Sequence, residues 1–314
     1  MGNAMTAQYK RKASLTVISG NQLIDLTDMH FTFDIRAWTM NTPKTAYIRI
    51  YNLSKTTSRL ITKEGDQIMV SAGYEGNFNQ IFKGEIVQVR NGRENSTDTY
   101  LDVTAAVSDK LYNYAMLNFS MAAGSDAIGR LGQISKNVGI NTGTIQAPQN
   151  GATLPRGVVF FGMARDHITA QASTIGAQWC ITDDGELDVV VTGGYKQGDI
   201  PVITSDTGLI GFPEQTEIGI SGKCLLNPNL QQNMLVKLDN SQIRQYGYSN
   251  AYTGPDQTQS TPPLTADGTY KLLFVNHVGD TRGQDWYSEF VCYSRFAYDP
   301  GALAQQLNYG PSIN

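Results

Sequence analysis

The densest run of chemistry-bearing side chains is HVGDTRGQDWYSE, which gathers His277, Asp280, Arg282, Asp285, Trp286 and Glu289 within residues 277–289. Carboxylates beside an imidazole and a guanidinium are the raw material of acid–base chemistry. The pairs Gly279-Asp280 and Arg282-Gly283 instead read as a tight turn between two strands, with Arg282 paired to a carboxylate and Trp286 opening the second strand. Such a turn fixes a loop at a subunit contact and does no chemistry. A second acidic group, Asp183, Asp184 and Glu186, falls on a hairpin tip, where like charges point into water and too few oxygens converge to hold a cation. His30, His167 and His277 are scattered and read as ordinary hydrogen-bonding residues, since no His-x-x-x-His or Cys-x-x-Cys pairing accompanies them. Cys180, Cys224 and Cys292 are odd in number and far apart, which fits a reducing compartment better than a disulfide framework. GISGK at 219–223 lacks phosphate-loop spacing, with Cys224 where a metal-binding hydroxyl is required. No GxSxG elbow marks a serine nucleophile. No catalytic, metal-binding or cofactor-binding residue is therefore expected.

The elements that position these residues are mostly strands. Only 17% of the 314 residues are charged, 31 are glycine and 16 are tyrosine, a mixture that favours short strands and turns over long helices. A net charge of −4 argues against a general phosphate-binding surface, and the basic run Lys10-Arg11-Lys12 reads as a solvated end. No apolar stretch reaches 18 residues and no signal-peptide core precedes the first strands, so neither a membrane span nor secretion is expected.

Residues 1–105 read as a first β-rich unit. Strand candidates are ASLTVISG, MHFTFDIRAW, TAYIRIYNL, QIMVSAGYEG, QIFKGEIVQVRNG and TYLDVTAA, with Asn91-Gly92 as a hairpin turn. Six short strands expose fewer edges if they close, which predicts a small barrel. Residues 106–196 form a mixed α+β middle module. Helical spacing covers Val107–Met116, Ser125–Val138 and Ala164–Ile175, the second capped by Ser125 with Asp126 in its first turn and buried along Ile128, Leu131, Ile134 and Val138. QWCITDDGELDVVVTGG is a hairpin turning at Asp184-Gly185. Residues 197–298 return to strands and predict a second barrel-like unit, interrupted by a long polar loop at 249–268 and followed by a mobile tail at 299–314. The expected fold is thus mainly β with an α+β insert, two barrels joined by a mixed middle module.

AYIRIYNLS (46–54), AGYEG with IFKGEI (72–76, 81–86), TGLIGFP (207–213), CLLNP (224–228) and DGTYKLLFVNHVGDTRGQDWYSEFVC (267–292) carry a resemblance across nearly the whole chain. In their order and spacing the chain resembles the gp27-like baseplate hub family of contractile-tailed phages. The resemblance implies two tail-tube-like barrels per chain, assembly as a homotrimer, and a structural role linking the hexameric tail tube to a trimeric central spike. It also implies a virion location in the tail baseplate after assembly in the host cytoplasm. Tape-measure protein and then DNA would pass through the lumen without specific binding. Interface anchors expected on this reading are Tyr47, Tyr51, Tyr74, Phe78 and Trp286, with Asp280, Arg282 and Asp285 fixing the turn. This chain departs from larger members in showing no extra globular domain after the second barrel. The alternatives are a tail-associated peptidoglycan hydrolase, and an adaptor of a phage-like contractile injection particle.

Overall fold

Alternation sets the strands. In Phe31–Trp38 the side chains of Phe31, Phe33, Ile35 and Ala37 are buried while Thr32, Asp34 and Arg36 face outward, the two-residue period of a half-buried strand. Ala46, Ile48 and Ile50 do the same in Thr45–Tyr51. The computed structural model describes residues 8–39, 41–61, 66–146, 153–216, 219–244 and 264–294.

In chain order the elements begin with β1 (Arg11–Ser19), β2 (Gln22–Asp25), β3 (Phe31–Trp38), β4 (Thr45–Tyr51), α1 (Lys55–Leu60), β5 (Gln67–Tyr74), β6 (Asn77–Arg93) and β7 (Thr99–Ala106). The middle of the chain supplies α2 (Asp109–Tyr114), β8 (Met116–Met121), α3 (Ala127–Val138), β9 (Asn141–Ile145), β10 (Val158–Met163), α4 (Ala164–Thr174), β11 (Ala177–Ile181) and β12 (Glu186–Val191). Strands then return as β13 (Val202–Ile203), β14 (Leu209–Gln215), β15 (Ile220–Leu225), β16 (Leu235–Leu238), β17 (Thr269–Asp280) and β18 (Trp286–Tyr293). The polar loop expected at 249–268 falls largely, and the tail at 299–314 wholly, outside the described residues.

A mainly β fold with a helical insert is observed, but the two closed barrels are not. Thirteen strands form one open sheet whose path runs β14-β15-β18-β17-β3-β4-β7-β6-β5-β1-β2, with β13 and β16 branching beside β17. The reason is the seam between β3 and β17, antiparallel from Phe274↔Trp38 to Asp280↔Thr32. Each half satisfies its inner edge against the other half, so neither needs to close on itself. The sheet does curl: Leu15 of β1 and Trp286 of β18 share the larger hydrophobic core. A smaller core gathers Ile203, Ile220, Leu230, Val236, Tyr270 and Phe290.

The insert contributes a two-stranded ribbon, β8 with β10, and a three-stranded sheet ordered β11-β12-β9. The hairpin at Asp184-Gly185 forms as the sequence indicates, with Gly185 at φ 78°. Three local readings are corrected. Asn91-Gly92 is not a turn: both residues pair within the β6–β7 ladder, and the chain reverses at Glu94–Asp98. Gly92 is there because a Cβ would meet the Tyr100 ring opposite at 2.3 Å. The helical spacing of Val107–Met116 resolves into the short α2 followed by the start of β8. In α3 the cap is Asp126, whose carboxylate accepts from the Gly129 amide at 2.9 Å. Ser125 instead lends its carbonyl to Arg130 at 2.6 Å, and Arg130 is buried while Ile128 is exposed.

Candidate interaction face

The turn between β17 and β18 is organised by Asp280. One carboxylate oxygen accepts from the amides of Arg282 and Gly283, both at 2.8 Å, and from His30 Nε2 at 2.8 Å. An ionised carboxylate only accepts, so the His30 nitrogen facing it carries the proton. Partial burial works against the charged form, but these three hydrogen bonds outweigh it and hold Asp280 below the usual aspartate range. His30 in turn stacks on Tyr51 at 4.3 Å between ring centroids. The expected pairing of Arg282 with a carboxylate is not among the described contacts; its backbone amide does the work. The guanidinium at the turn comes from Arg11 of β1, which donates to the carbonyls of Gly283 and Gln284 at 3.0 and 3.2 Å and lies 5.7 Å from the Trp286 ring. Lys10-Arg11-Lys12 is thus not simply a solvated end. No local pattern reveals this, because the contact spans 272 residues.

The outward side chains of the central strands make one continuous face. The registers align Thr104, Tyr47, Asp34, Val278, Tyr287 and Leu225 in a row across β7, β4, β3, β17, β18 and β15. Two arginine–carboxylate pairs lie on this face. Arg36 donates to both oxygens of Asp34 at 2.9 and 2.7 Å, and Arg49 to both oxygens of Asp102 at 2.6 and 3.0 Å. Arg49 also lies 4.0 Å from the Tyr100 ring, and Lys223 lies 3.3 Å from that of Tyr287. The Asp102 bond is the main reason the Arg49 guanidinium holds its proton more tightly than usual. A concavity of about 550 Å³ opens here, lined by Asp34, Tyr47, Arg49, Arg90 and Asp102. Toward β14 the face turns apolar, with Phe212 and Ile210 exposed and Trp38 against Phe274 at 4.1 Å. Paired side chains on a broad sheet suit a docking surface: Arg36 and Arg49 are already held and lose little freedom on contact.

Of the expected anchors, Tyr47 and Phe78 are exposed at 50% and 38%, while Tyr74 and Trp286 are buried within the chain itself. Tyr51 is half-buried against His30, and Asp280 stands at the turn with Arg282 and Asp285. Phe78 lies at the β5–β6 hairpin, away from the Tyr47 row.

At the acidic hairpin tip Asp184 is exposed, but Asp183 does not shed its charge into water. Asp183 accepts from Lys44 Nζ at 2.7 Å, with both side chains largely buried, and ties β4 to the insert. Deeper in, burial pushes His277 down to about 3, with nearby Lys44 adding to the effect. Its Nδ1 lies 2.8 Å from Ser288 Oγ. Burial likewise lowers Lys271 to about 8, and raises Cys180 to about 11 and Cys224 to about 12. All three cysteines are free and buried. Among the described residues no group of three or more His, Cys, Asp or Glu is placed to hold a metal ion.

The overall fold, an open sheet with a mixed insert, is shared with solved tail proteins. The 43 kDa tail protein of prophage MuSo2 from Shewanella oneidensis matches at TM-score 0.59 and 8% identity, over 92% of this chain and 98% of its own. A tail protein from Neisseria meningitidis MC58 matches at 0.59 and 10%, over 93% and 99%. An E. coli type VI secretion system component, itself structurally similar to the T4 tail proteins gp27 and gp5, matches at 0.57 and 11%, over 91% and 79%. No protein-family model and no curated protein matches the chain. At these identities the likeness is one of fold.

Proposed function

We propose that the protein is a structural, non-enzymatic subunit of a contractile phage-type tail, a baseplate hub linking the hexameric tail tube to the trimeric central spike. The observation that carries this reading is the fold shared with two tail proteins over more than nine-tenths of both chains. The hub acts as a homotrimer in the virion tail baseplate, assembled in the host cytoplasm. Its lumen admits tape-measure protein and then DNA without specific binding.

The symmetry argument is that a three-fold ring meets a six-fold tube only if each chain offers two comparable surfaces. Residues 11–106 and 202–293 supply sheet on either side of the β3–β17 seam, so three chains offer six such stretches. In this division residues 1–105 and 197–298 are the two hub units, 106–196 the middle module and 299–314 a tail. Tyr47, with the exposed Phe212 and Ile210, anchors the contact on the outer face, and Phe78 anchors another at the β5–β6 hairpin. Asp280, Arg282 and Asp285 hold the turn that borders the groove.

A second reading, an adaptor of a phage-like injection particle, is favoured by the fold shared with the type VI secretion component. The mechanics are the same, since load is borne across broad contacts and not by a few rim ion pairs. Light scattering during size-exclusion chromatography tests the hub: a mass of three times 34.4 kDa is expected. A monomer that stays monomeric when the candidate spike protein is added overturns it.

A further inference from the structure

The β8–β10 ribbon stands apart from the outer face and carries its own signal. Its two strands, MLNFSM and VVFFGM, contain no charged residue. The inner side packs Leu117 and Phe160 into the core, while Met116, Val159 and Phe161 on the outer side are 60%, 70% and 70% exposed. The ladder settles which backbone groups are free. Ala164 donates to the Ala115 carbonyl just beyond the Met163↔Met116 pair, so the bonded pairs continue as Gly162↔Leu117, Phe160↔Phe119 and Val158↔Met121. The amides and carbonyls of Met116, Asn118 and Ser120 therefore point away from β10, and no backbone partner meets them among the described residues.

The edges at β2, β14 and β10 are defended. β2 has only four residues and ends on Asp25. β14 carries Pro213 and a bulge, and the Arg244 segment bonds along its outer side. On β10 the Phe161 carbonyl is taken by His167 Nε2 at 3.0 Å. The β8 edge has none of the charges, prolines or bulges that keep strands from pairing. The ribbon is held from its inner side by the core, while the apolar side chains gathered on its outer side are left uncovered, which marks an interaction surface.

We infer that the β8 edge accepts an extended strand from a partner protein, an uncharged segment with apolar residues at alternate positions. The added strand pairs with Met116, Asn118 and Ser120, lays an apolar side chain beside Met116, and extends the uncharged outer face that β10 continues with Val159 and Phe161. Absence of charge on both ribbon strands selects an uncharged partner, because a Lys or Glu brought there loses water and gains no counter-ion. Choosing a different protein over a second copy rests on the three-fold reading above, since two β8 edges pair only about a two-fold axis.

The test uses the full chain and two acetylated seven-residue probes, one alternating Thr and Val and one alternating Thr and Lys. Hydrogen exchange at residues 116–120 is expected to slow about tenfold with the Thr-Val probe and not with the Thr-Lys probe. Asn118→Pro removes one outward amide without touching the β8–β10 ladder, and Ser120→Lys places a charge on the edge. Each is expected to weaken binding about tenfold while leaving the melting temperature unchanged. Unchanged exchange at millimolar Thr-Val probe, or wild-type binding by Asn118→Pro, overturns the inference. So does protection that rises with protein concentration alone, which would assign the edge to a second copy. Protection in the full chain that vanishes in a chain ending at Ser294 would assign it to the chain's own tail, and overturns it too. A mass that stays monomeric by light scattering even with the candidate spike protein added sinks the hub reading without altering the exchange result, so the two can fail separately.

Discussion

Acidification is expected to unfold this protein early, through His277. The imidazole is fully enclosed, with Ser288 Oγ at 2.8 Å and the Lys44 ammonium near enough to repel a second positive charge. An unfolded chain takes up a proton on this group near pH 6.5, whereas the folded chain refuses it until about 3. Stability from this source is complete above pH 6.5 and declines as the pH falls toward 3, by about 1.4 kcal/mol per pH unit. Between pH 6.5 and about pH 5, before most carboxylates titrate, His277 alone removes about 2 kcal/mol, a large share of a typical domain's stability. Urea denaturation followed by tryptophan fluorescence, in steps from about pH 7.5 to about pH 5, measures the wild type against His277→Gln. Glutamine reaches toward Ser288 but does not titrate, so the variant starts lower and declines less steeply. If the two stability curves run parallel across that window, burial does not exclude the proton and the argument fails.

The other expectations concern the same framework. Lys271 is buried, has no carboxylate partner among the described residues and is depressed to about 8. Stability should therefore fall as the pH drops from 10.5 to 8 and be flat below; Lys271→Met should remove that slope and raise the denaturation midpoint at neutral pH by about 1–3 kcal/mol equivalent. Gly279→Ala places a Cβ 2.3 Å from the Phe33 ring across the seam, and is expected to cost about 1–3 kcal/mol by thermal denaturation. Asp280→Ala strands the amides of Arg282 and Gly283 and costs about 2 kcal/mol, with hydrogen exchange quickened at 281–285 and little changed in the insert.

What could be read in advance was whatever the chain decides locally. Alternation in FTFDIRAW and TAYIRIY gave β3 and β4, and the glycine of DDGE gave the hairpin between β11 and β12, because a strand period or a positive φ needs no distant partner. Asn91-Gly92 misled for the opposite reason: that glycine answers to Tyr100 on the neighbouring strand and not to a turn. The same holds at larger scale. Closing into a barrel is what each half suggests when its strands are considered alone; the pairing of β3 with β17 supplies the missing edge partner from the far end of the chain. At the candidate site, the turn at 280–286 was legible from its Gly and Asp residues, whereas the groups that grip it, His30 and Arg11, arrive from the far end of the chain. Lys44 with Asp183 was invisible for the same reason, a contact across 139 residues.

The seam has a consequence for synthesis. Its partners are 236 to 248 positions apart. At about 5–20 residues per second, a ribosome that has finished β3 needs on the order of ten to fifty seconds to deliver β17. Throughout that interval a strand with four buried apolar side chains presents an unpaired edge to a crowded cell. Asp34 and Arg36, held to one another on its outer side, are the charges that make this edge a poor template for neighbouring nascent chains. The ion pair can thus serve the molecule before the fold exists, as a guard on an edge that has yet to find its mate.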